Sequence, residues 1–396
     1  MLRLGPLLAF VVLGCANPES KVPPPDVIHF PVGIAADPAG DFVYVVNSNF
    51  DLAFATGNVV AIDTRTHRAV SSSAVRIPTF GGQIAALGDP QTGATRLYMT
   101  TRDLDALIWA RVDRDAAGNP HLVCSEAPPA PGEQATCDGR FVIGGPGEPL
   151  SPGNDPFGLA VAPDRKHLFA ASFEGKVAAY TLDATGDPTF GGRADTFSGT
   201  YAVAVHPVTG RAYATTKSFN VLFDVKVVDA TPPALAQVTA TAAVGIQNQI
   251  GGRDFGRGIA FNASGTLAFV AYRSPPSLLV VDTALDADGL PRNRILGSVP
   301  LGDGPAGVAV AKTGPDGREL VYVTAFTADT MYVVDPLVMD VVAVIDVGDG
   351  PFDIAIVDRP GERQRAYITL FEEQRVSVVE LDRTSPFYHQ EIARVP

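Results

Sequence analysis

From about residue 30 onward the chain reads as short apolar runs broken by clusters of Gly, Pro, Asp and Asn. The runs alternate apolar with small polar residues or are continuously β-branched, which is a strand pattern and lacks the spacing of an amphipathic helix. The clearest stretch is Gly302 to Val347. It opens on Gly302-Asp303-Gly304-Pro305-Ala306-Gly307, passes into Val308-Ala309-Val310-Ala311 and turns at Gly314-Pro315-Asp316-Gly317. Three further runs follow, Leu320–Thr324, Met331–Asp335 and Val341–Asp346. Four short strands with turn residues between them make one unit.

The same order recurs along the chain. Seven copies of the first run can be aligned: Val32–Asp37, Gln83–Leu87, Gly158–Ala162, Ala202–His206, Gly258–Phe261, Gly307–Val310 and Asp353–Ile356. All are built of small, apolar residues, as innermost strands crowded round one axis require. The second runs, from Phe42–Asn47 to Ala366–Thr369, repeat an aromatic residue two positions before a small or β-branched one, so that one face packs between neighbouring units. Third runs end in Asp63, Asp282, Asp335 or Glu380, read as caps of the following turn. Units that pack only on their neighbours escape the size limit of a single core. The pattern therefore predicts an all-β chain, a single seven-bladed β-propeller of four-stranded blades over residues 27–396. An insertion of about residues 113–153 interrupts the second blade. Either Val27–Phe30 or Glu391–Val395 is expected to close the ring, since an open one would leave unpaired edges.

The Gly-x-x-Pro opening, the Tyr-Val-x-Thr/Asn second strand (Tyr44-Val45-Val46-Asn47, Tyr322-Val323-Thr324) and the Val-x-Val-Ile-Asp run resemble the YVTN-repeat seven-bladed propellers of bacterial and archaeal surface proteins. The resemblance extends over nearly the whole body. It implies this fold and a surface address, and it implies no reaction. Trp109 is the only tryptophan, which argues against a Trp-Asp repeat propeller and against a quinone-cofactor propeller.

The N-terminus adds an address. Arg3 precedes an apolar run, Gly5 to Leu13, too short to span a bilayer, and Val12-Leu13-Gly14-Cys15 resembles the cleavage site of a bacterial lipoprotein. Residues 1–14 would then be removed and Cys15 acylated. An ordinary secretory signal is the alternative, and either exports the chain. Residues 15–26 are proline-rich and predict an extended tether holding the body near a membrane. The expected location is the cell envelope, at the outer membrane or cell surface. A net charge of −13 suits neither nucleic acid nor anionic headgroups. In an exported chain Cys124 and Cys137, flanking a proline-rich loop, predict a disulfide.

Chemistry is sparse. There is no covalent-haem motif, nucleophile elbow or phosphate-binding loop, and the six histidines are scattered, so no cofactor and no metal site is implied. Asp286-Ala287-Asp288-Gly289 reads as a hairpin turn and lacks the later acidic ligands of a calcium loop. In a propeller the loops entering first strands and leaving second strands share one face. Here they bring Arg102, Lys217, Arg257 and Arg273 together as a basic arc, with Phe157, Tyr201, Phe255 and Phe352 as apolar platforms. Asp353 falls at the channel mouth, with Asp155 and Glu372 nearby. Such a mouth suits a carbohydrate, a peptide or an anionic small molecule. The first expectation is a lipid-anchored, non-catalytic binding or scaffolding module for a glycan, peptide or envelope protein. The alternative is a hydrolase resembling the propeller lactonases, some of which hold a divalent metal on channel carboxylates.

Overall fold

The structure is a computed structural model that describes residues 21–89, 93–218, 221–228, 237–245 and 256–396. Cys15, the leader and Phe255 lie outside the described residues. Among those described, no helix is long and apolar enough to cross a membrane.

The strands pair into seven separate sheets, each running outward in chain order from an innermost first strand. These first strands are Pro31–Ala36, Gly81–Gly88, Pro156–Val161, Thr200–Val205, Gly256–Phe261, Pro305–Ala311 and Pro351–Val357. Each lies against the next, and the last lies against the first. The result is an all-β propeller of essentially four-stranded blades. Six sheets are described with their side chains throughout; the fourth adds its two outer strands, Val221–Val228 and Gln237–Gly245, by backbone alone.

Every first strand starts one or two residues before its apolar run, because it opens with a break in register. The shifts fall between Pro31 and Gly33, Gly81 and Ile84, Pro156 and Gly158, Thr200 and Val203, Gly256 and Ile259, Pro305 and Val308, and Pro351 and Ile354. Such bulges re-aim a side chain out of the pleat. The residue in the bulge is Val32, Gly82, Phe157, Tyr201, Arg257, Ala306 or Phe352, and four of these seven are large. Directly after it the first strands nearly touch. A Cβ on Gly158 would lie 2.4 Å from the Tyr201 carbonyl, so glycine is required at that point.

The second-strand motif acquires a physical meaning here. Its tyrosine is buried between blades and reaches across to the next one: Tyr98 donates to the Gly186 carbonyl (2.6 Å), Tyr213 to Asn293 Oδ1 (2.7 Å) and Tyr367 to the Thr64 carbonyl (3.3 Å). Its threonine does the same nearer the axis. Thr100, Thr215, Thr324 and Thr369 donate to the bulge carbonyls of Phe157, Arg257, Phe352 and Val32 at 2.7, 2.8, 3.0 and 3.4 Å. Each net contribution is about 1 kcal/mol. Together they fix the backbone from which the mouth residues project.

Among the described residues neither end of the chain adds a strand to the opposite end's sheet. Glu391–Val395 is the outermost strand of the seventh sheet, and the ring closes by side-chain packing of Ile28, Ile34, Val43, Tyr367, Val376 and Val395. The insertion ties the first two blades together. Pro120–Val123 and Val142–Gly144 both pair with Ala106–Arg114, whereas Ala135–Thr136 pairs with Arg68–Ile77 of the first sheet. Cys124 and Cys137, both buried, form the expected disulfide.

The described part of the proline-rich segment lies on the body. Asn47 Nδ2 donates to the Val27 carbonyl, Asn58 Nδ2 to Pro24 and Gln134 Nε2 to Pro23, and the Ala55 N–H donates to the Lys21 carbonyl. Residues 21–27 thus cross the first blade from its second strand to its rim. They do so on the face that carries the loop after Phe42–Asn47.

Candidate functional site

That face is the funnel mouth, and its geometry repeats. In six of the seven blades the residue leaving the second strand donates its N–H to the residue just before the first strand: Ser48 to Phe30, Arg102 to Phe80, Phe173 to Asp155, Lys217 to Gly199, Phe326 to Gly304 and Phe371 to Gly350. The accepting residues adopt positive φ. Three are glycines, as the left-handed region favours, but Phe30 (φ 47°), Phe80 (φ 54°) and Asp155 (φ 56°) are not. At those three blades large side chains are kept at the mouth despite the backbone cost.

The mouth is therefore lined by two rings of side chains, those in the bulges and those leaving the second strands. On the side of blades two to seven they surround a cavity of about 230 Å³ lined by Arg102, Phe157, Phe173, Tyr201, Lys217, Arg257, Arg273, Phe326 and Phe352. All four members of the basic arc meet there. Arg102, Phe157, Tyr201, Lys217, Arg257, Arg273 and Phe352 are thus brought together as the loop positions had placed them, and Phe173 and Phe326, which leave second strands as Arg102 does, line the same cavity. Asp353 is not in this set. It lies one step down the channel, where Oδ2 accepts the Ile34 N–H (3.3 Å) and Oδ1 its own neighbour's, Ile354 (2.9 Å). Gln83 plays the same part by accepting the Leu159 N–H at 3.1 Å. Water reaches Asp353 along the channel, but protein encloses it, and burial pushes its carboxyl up to about 7.

Inside the cavity the cations are seated on rings. Arg257 Cζ lies 4.8 Å from the Tyr201 ring centre and Arg102 Cζ 5.2 Å from that of Phe173. Lys217 Nζ lies between two rings, 4.6 Å from Phe173 and 5.7 Å from Tyr201. Phe157 stacks on Tyr201 at 4.7 Å and meets Phe352 edge-on at 6.0 Å. Cations over aromatic faces are attracted by the ring quadrupole, which orients them without neutralising them. Arg102 is paired with a carboxylate, Asp155, bonded through Nε and Nη2. Arg273 is held by its Nε on the Pro305 carbonyl at 3.1 Å.

Crowding shows in the acidities. Burial, reinforced by Arg257, Arg102 and Arg273, pulls the Lys217 ammonium down from 10.5 to about 8. Burial likewise lowers Arg257 to about 10 and lowers Arg273, and it raises the Tyr201 phenol to about 12. Every shift of a cation favours the arrival of negative charge.

Beside the cavity an aromatic collar continues round the mouth. Phe352 and Phe326 each lie 6.1 Å from Phe371, which meets Phe30 at 5.1 Å and Phe50 at 5.3 Å; Phe50 reaches Phe80 at 6.1 Å. The alignment of second strands could have found Phe371, which occupies the register position of Phe173 and Phe326. Phe30 and Phe80 had no such signal, because their place depends on a left-handed backbone. Three larger cavities lie elsewhere among the described residues, one of about 540 Å³ on the opposite face around Asp164 and Asp183, one of about 490 Å³ beside the disulfide loop and one of about 340 Å³ around Phe269, Lys312 and Arg318. None of them brings four cations against several aromatic rings. The Asp286 hairpin is a turn in which Oδ1 accepts the N–H groups of Asp288 and Leu290. Among the described residues no three His, Cys, Asp or Glu side chains group as metal ligands.

No family model and no curated protein matches the chain. Among solved structures it is similar to hydrazine synthase from Kuenenia stuttgartiensis, with a TM-score of 0.59 and 15% identity over 91% of this chain and 98% of that one. It is similar to a protein of unknown function from Desulfotomaculum acetoxidans, with a TM-score of 0.59 and 16% identity over 89% and 95%. A third similar structure is the periplasmic gluconolactonase of Pseudomonas aeruginosa, with a TM-score of 0.53 and 17% identity over 81% and 86%. At these identities the likeness shows the propeller fold alone.

Proposed function

We propose that this protein is an exported, membrane-tethered propeller that binds a small organic anion at its funnel mouth, the negative group on Arg257, Arg273 and Lys217 and the apolar body on Phe157, Tyr201 and Phe352. The observation that carries the reading is the meeting of Arg102, Lys217, Arg257 and Arg273 with five aromatic rings in a single cavity. A volume of about 230 Å³ is below the ~300 Å³ at which drug-sized sites begin, so the ligand is small. The YVTN resemblance and the lipoprotein-like leader support the address. The path of residues 21–27 adds to this. Cys15 lies six residues before Lys21, at most about 20 Å of extended chain, so an acyl anchor there would hold the body with its mouth close to the lipid surface.

Calorimetric titration with benzoate, gluconate and their uncharged amides tests the binding. Benzoate should bind and benzamide should not, and Arg257→Met with Arg273→Met should abolish the difference. Equal binding of acid and amide would refute the reading.

A second reading, lactone hydrolysis, draws support from the gluconolactonase likeness and from two groups titrating near neutrality, Asp353 and Lys217. The metal-dependent form does not fit these residues, since both Asp353 oxygens are occupied by backbone N–H groups. Proton release during gluconolactone opening, faster than in buffer and lost in Asp353→Asn, would establish this reading over the first.

A further inference from the structure

We propose that Lys217 is an imine-forming nucleophile, whose amine adds to the carbonyl carbon of a small oxo acid held by its carboxylate on Arg257 and Arg273. This rests on the anion-binding reading of the same mouth. Three features of the cavity carry it. Lys217 Nζ sits against the rings of Phe173 and Tyr201, which strip it of water on two sides. Among the described residues no carboxylate pairs with it, and Asp155 is engaged by Arg102. Arg102, Arg257 and Arg273 line the same small cavity, so an oxo acid anchored by its carboxylate has little room to keep its carbonyl away from the amine. A lysine desolvated beside other cations is the arrangement that makes an amine nucleophilic near neutrality. The ammonium accordingly loses its proton near pH 8 instead of 10.5.

The chemistry balances without an oxidant or reductant. The nitrogen lone pair forms the C–N bond while the C=O π pair moves to oxygen. Proton transfer from nitrogen to oxygen gives a neutral carbinolamine. Its hydroxyl leaves as water with the second amine hydrogen, and a C=N bond remains. The transient oxyanion forms among the same guanidinium groups, which stabilise it.

The test uses the full chain with pyruvate as probe and cyanoborohydride to trap any imine, followed by peptide mass mapping of the six lysines. At pH 7 the free-amine fraction at Lys217 is about a tenth, against well under a thousandth for an ordinary lysine. Labelling should therefore favour Lys217 by roughly two orders of magnitude, with half-maximal labelling near pH 8. It should disappear in Lys217→Arg, which keeps the charge, and fall when benzoate competes. Benzoate binding is measured on the same samples. Binding without a Lys217 adduct refutes the imine proposal and spares the anion site, whereas absence of both refutes the two together. Labelling spread evenly over all lysines, or persisting in Lys217→Arg, also overturns the proposal.

Discussion

Replacing Asp155 by Asn should tighten benzoate binding, while replacing Arg102 by Met should weaken it. The two side chains form a bidentate pair at the edge of the cavity, so Asp155 neutralises one of the four cations that line it. Two unit charges 4 Å apart at an effective dielectric of 20 attract by about 4 kcal/mol. That figure is too large here, because the Arg102 and Asp155 side chains are 34% and 42% exposed and water screens them. A pair so exposed is worth about 0.5–1 kcal/mol. Releasing Arg102 therefore makes about that much available to an arriving carboxylate, a gain of about two- to fivefold in affinity. Arg102→Met has the opposite sign, since it removes one cation and leaves Asp155 to repel the ligand. Asp155→Asn should also lower the Lys217 ammonium further, because the Asp155 charge is what opposes its shift. Isothermal titration with benzoate at low and high salt reads both affinities. The difference between the variants should shrink as salt rises. If both substitutions weaken binding equally at low salt, Asp155 positions a neighbour instead of neutralising Arg102, and the charge argument fails.

Three further outcomes follow from the fold and the channel. Replacing Cys124 and Cys137 by Ser opens a loop spanning 13 residues and should cost about 3 kcal/mol in chemical denaturation, with benzoate binding unchanged because the disulfide lies away from the mouth. Tyr98→Phe strips the hydroxyl from a buried 2.6 Å bond and should lower unfolding free energy by about 1 kcal/mol; an unchanged midpoint would deny the tyrosine its inter-blade role. Folding raises Asp353 from 3.8 to about 7, so the native state resists ionising that group. The resulting penalty is absent below about 3.8, grows as pH rises and levels off above about 7. Asp353→Asn should therefore gain stability relative to the parent across that interval, and a gap independent of pH would show that Asp353 ionises freely.

The repeat was legible because it follows from packing. Small residues at Gly158 and Gly307, the buried tyrosines and the strand-ending acids recur wherever neighbouring blades impose the same contacts. What the pattern hid is local geometry. Apolar periodicity marks where a strand alternates, and the bulges that open each first strand lie just outside it, although they aim Phe157, Tyr201 and Arg257 into the mouth. Asp353 shows the opposite error. Its alignment suggested a ligand-facing acid, but one residue past the bulge it turns into the channel and closes backbone hydrogen bonds between the last and first blades. The aromatic collar escaped notice because Phe30 and Phe80 reach the mouth through positive φ, where the repeat elsewhere uses glycine. The segment before Asp26 read as a tether because it is proline-rich, yet its carbonyls accept from Asn58, Gln134 and the Ala55 N–H.

The anion site can be located directly by diffraction from crystals saturated with 4-bromobenzoate, using the anomalous signal of bromine. A single bromine position should appear in the mouth cavity against Phe157 and Tyr201, with the carboxylate turned to Arg257 and Arg273, and it should vanish from the Arg257→Met, Arg273→Met variant. Bromine bound on the opposite face or at the disulfide loop, with the mouth empty, would contradict the central claim.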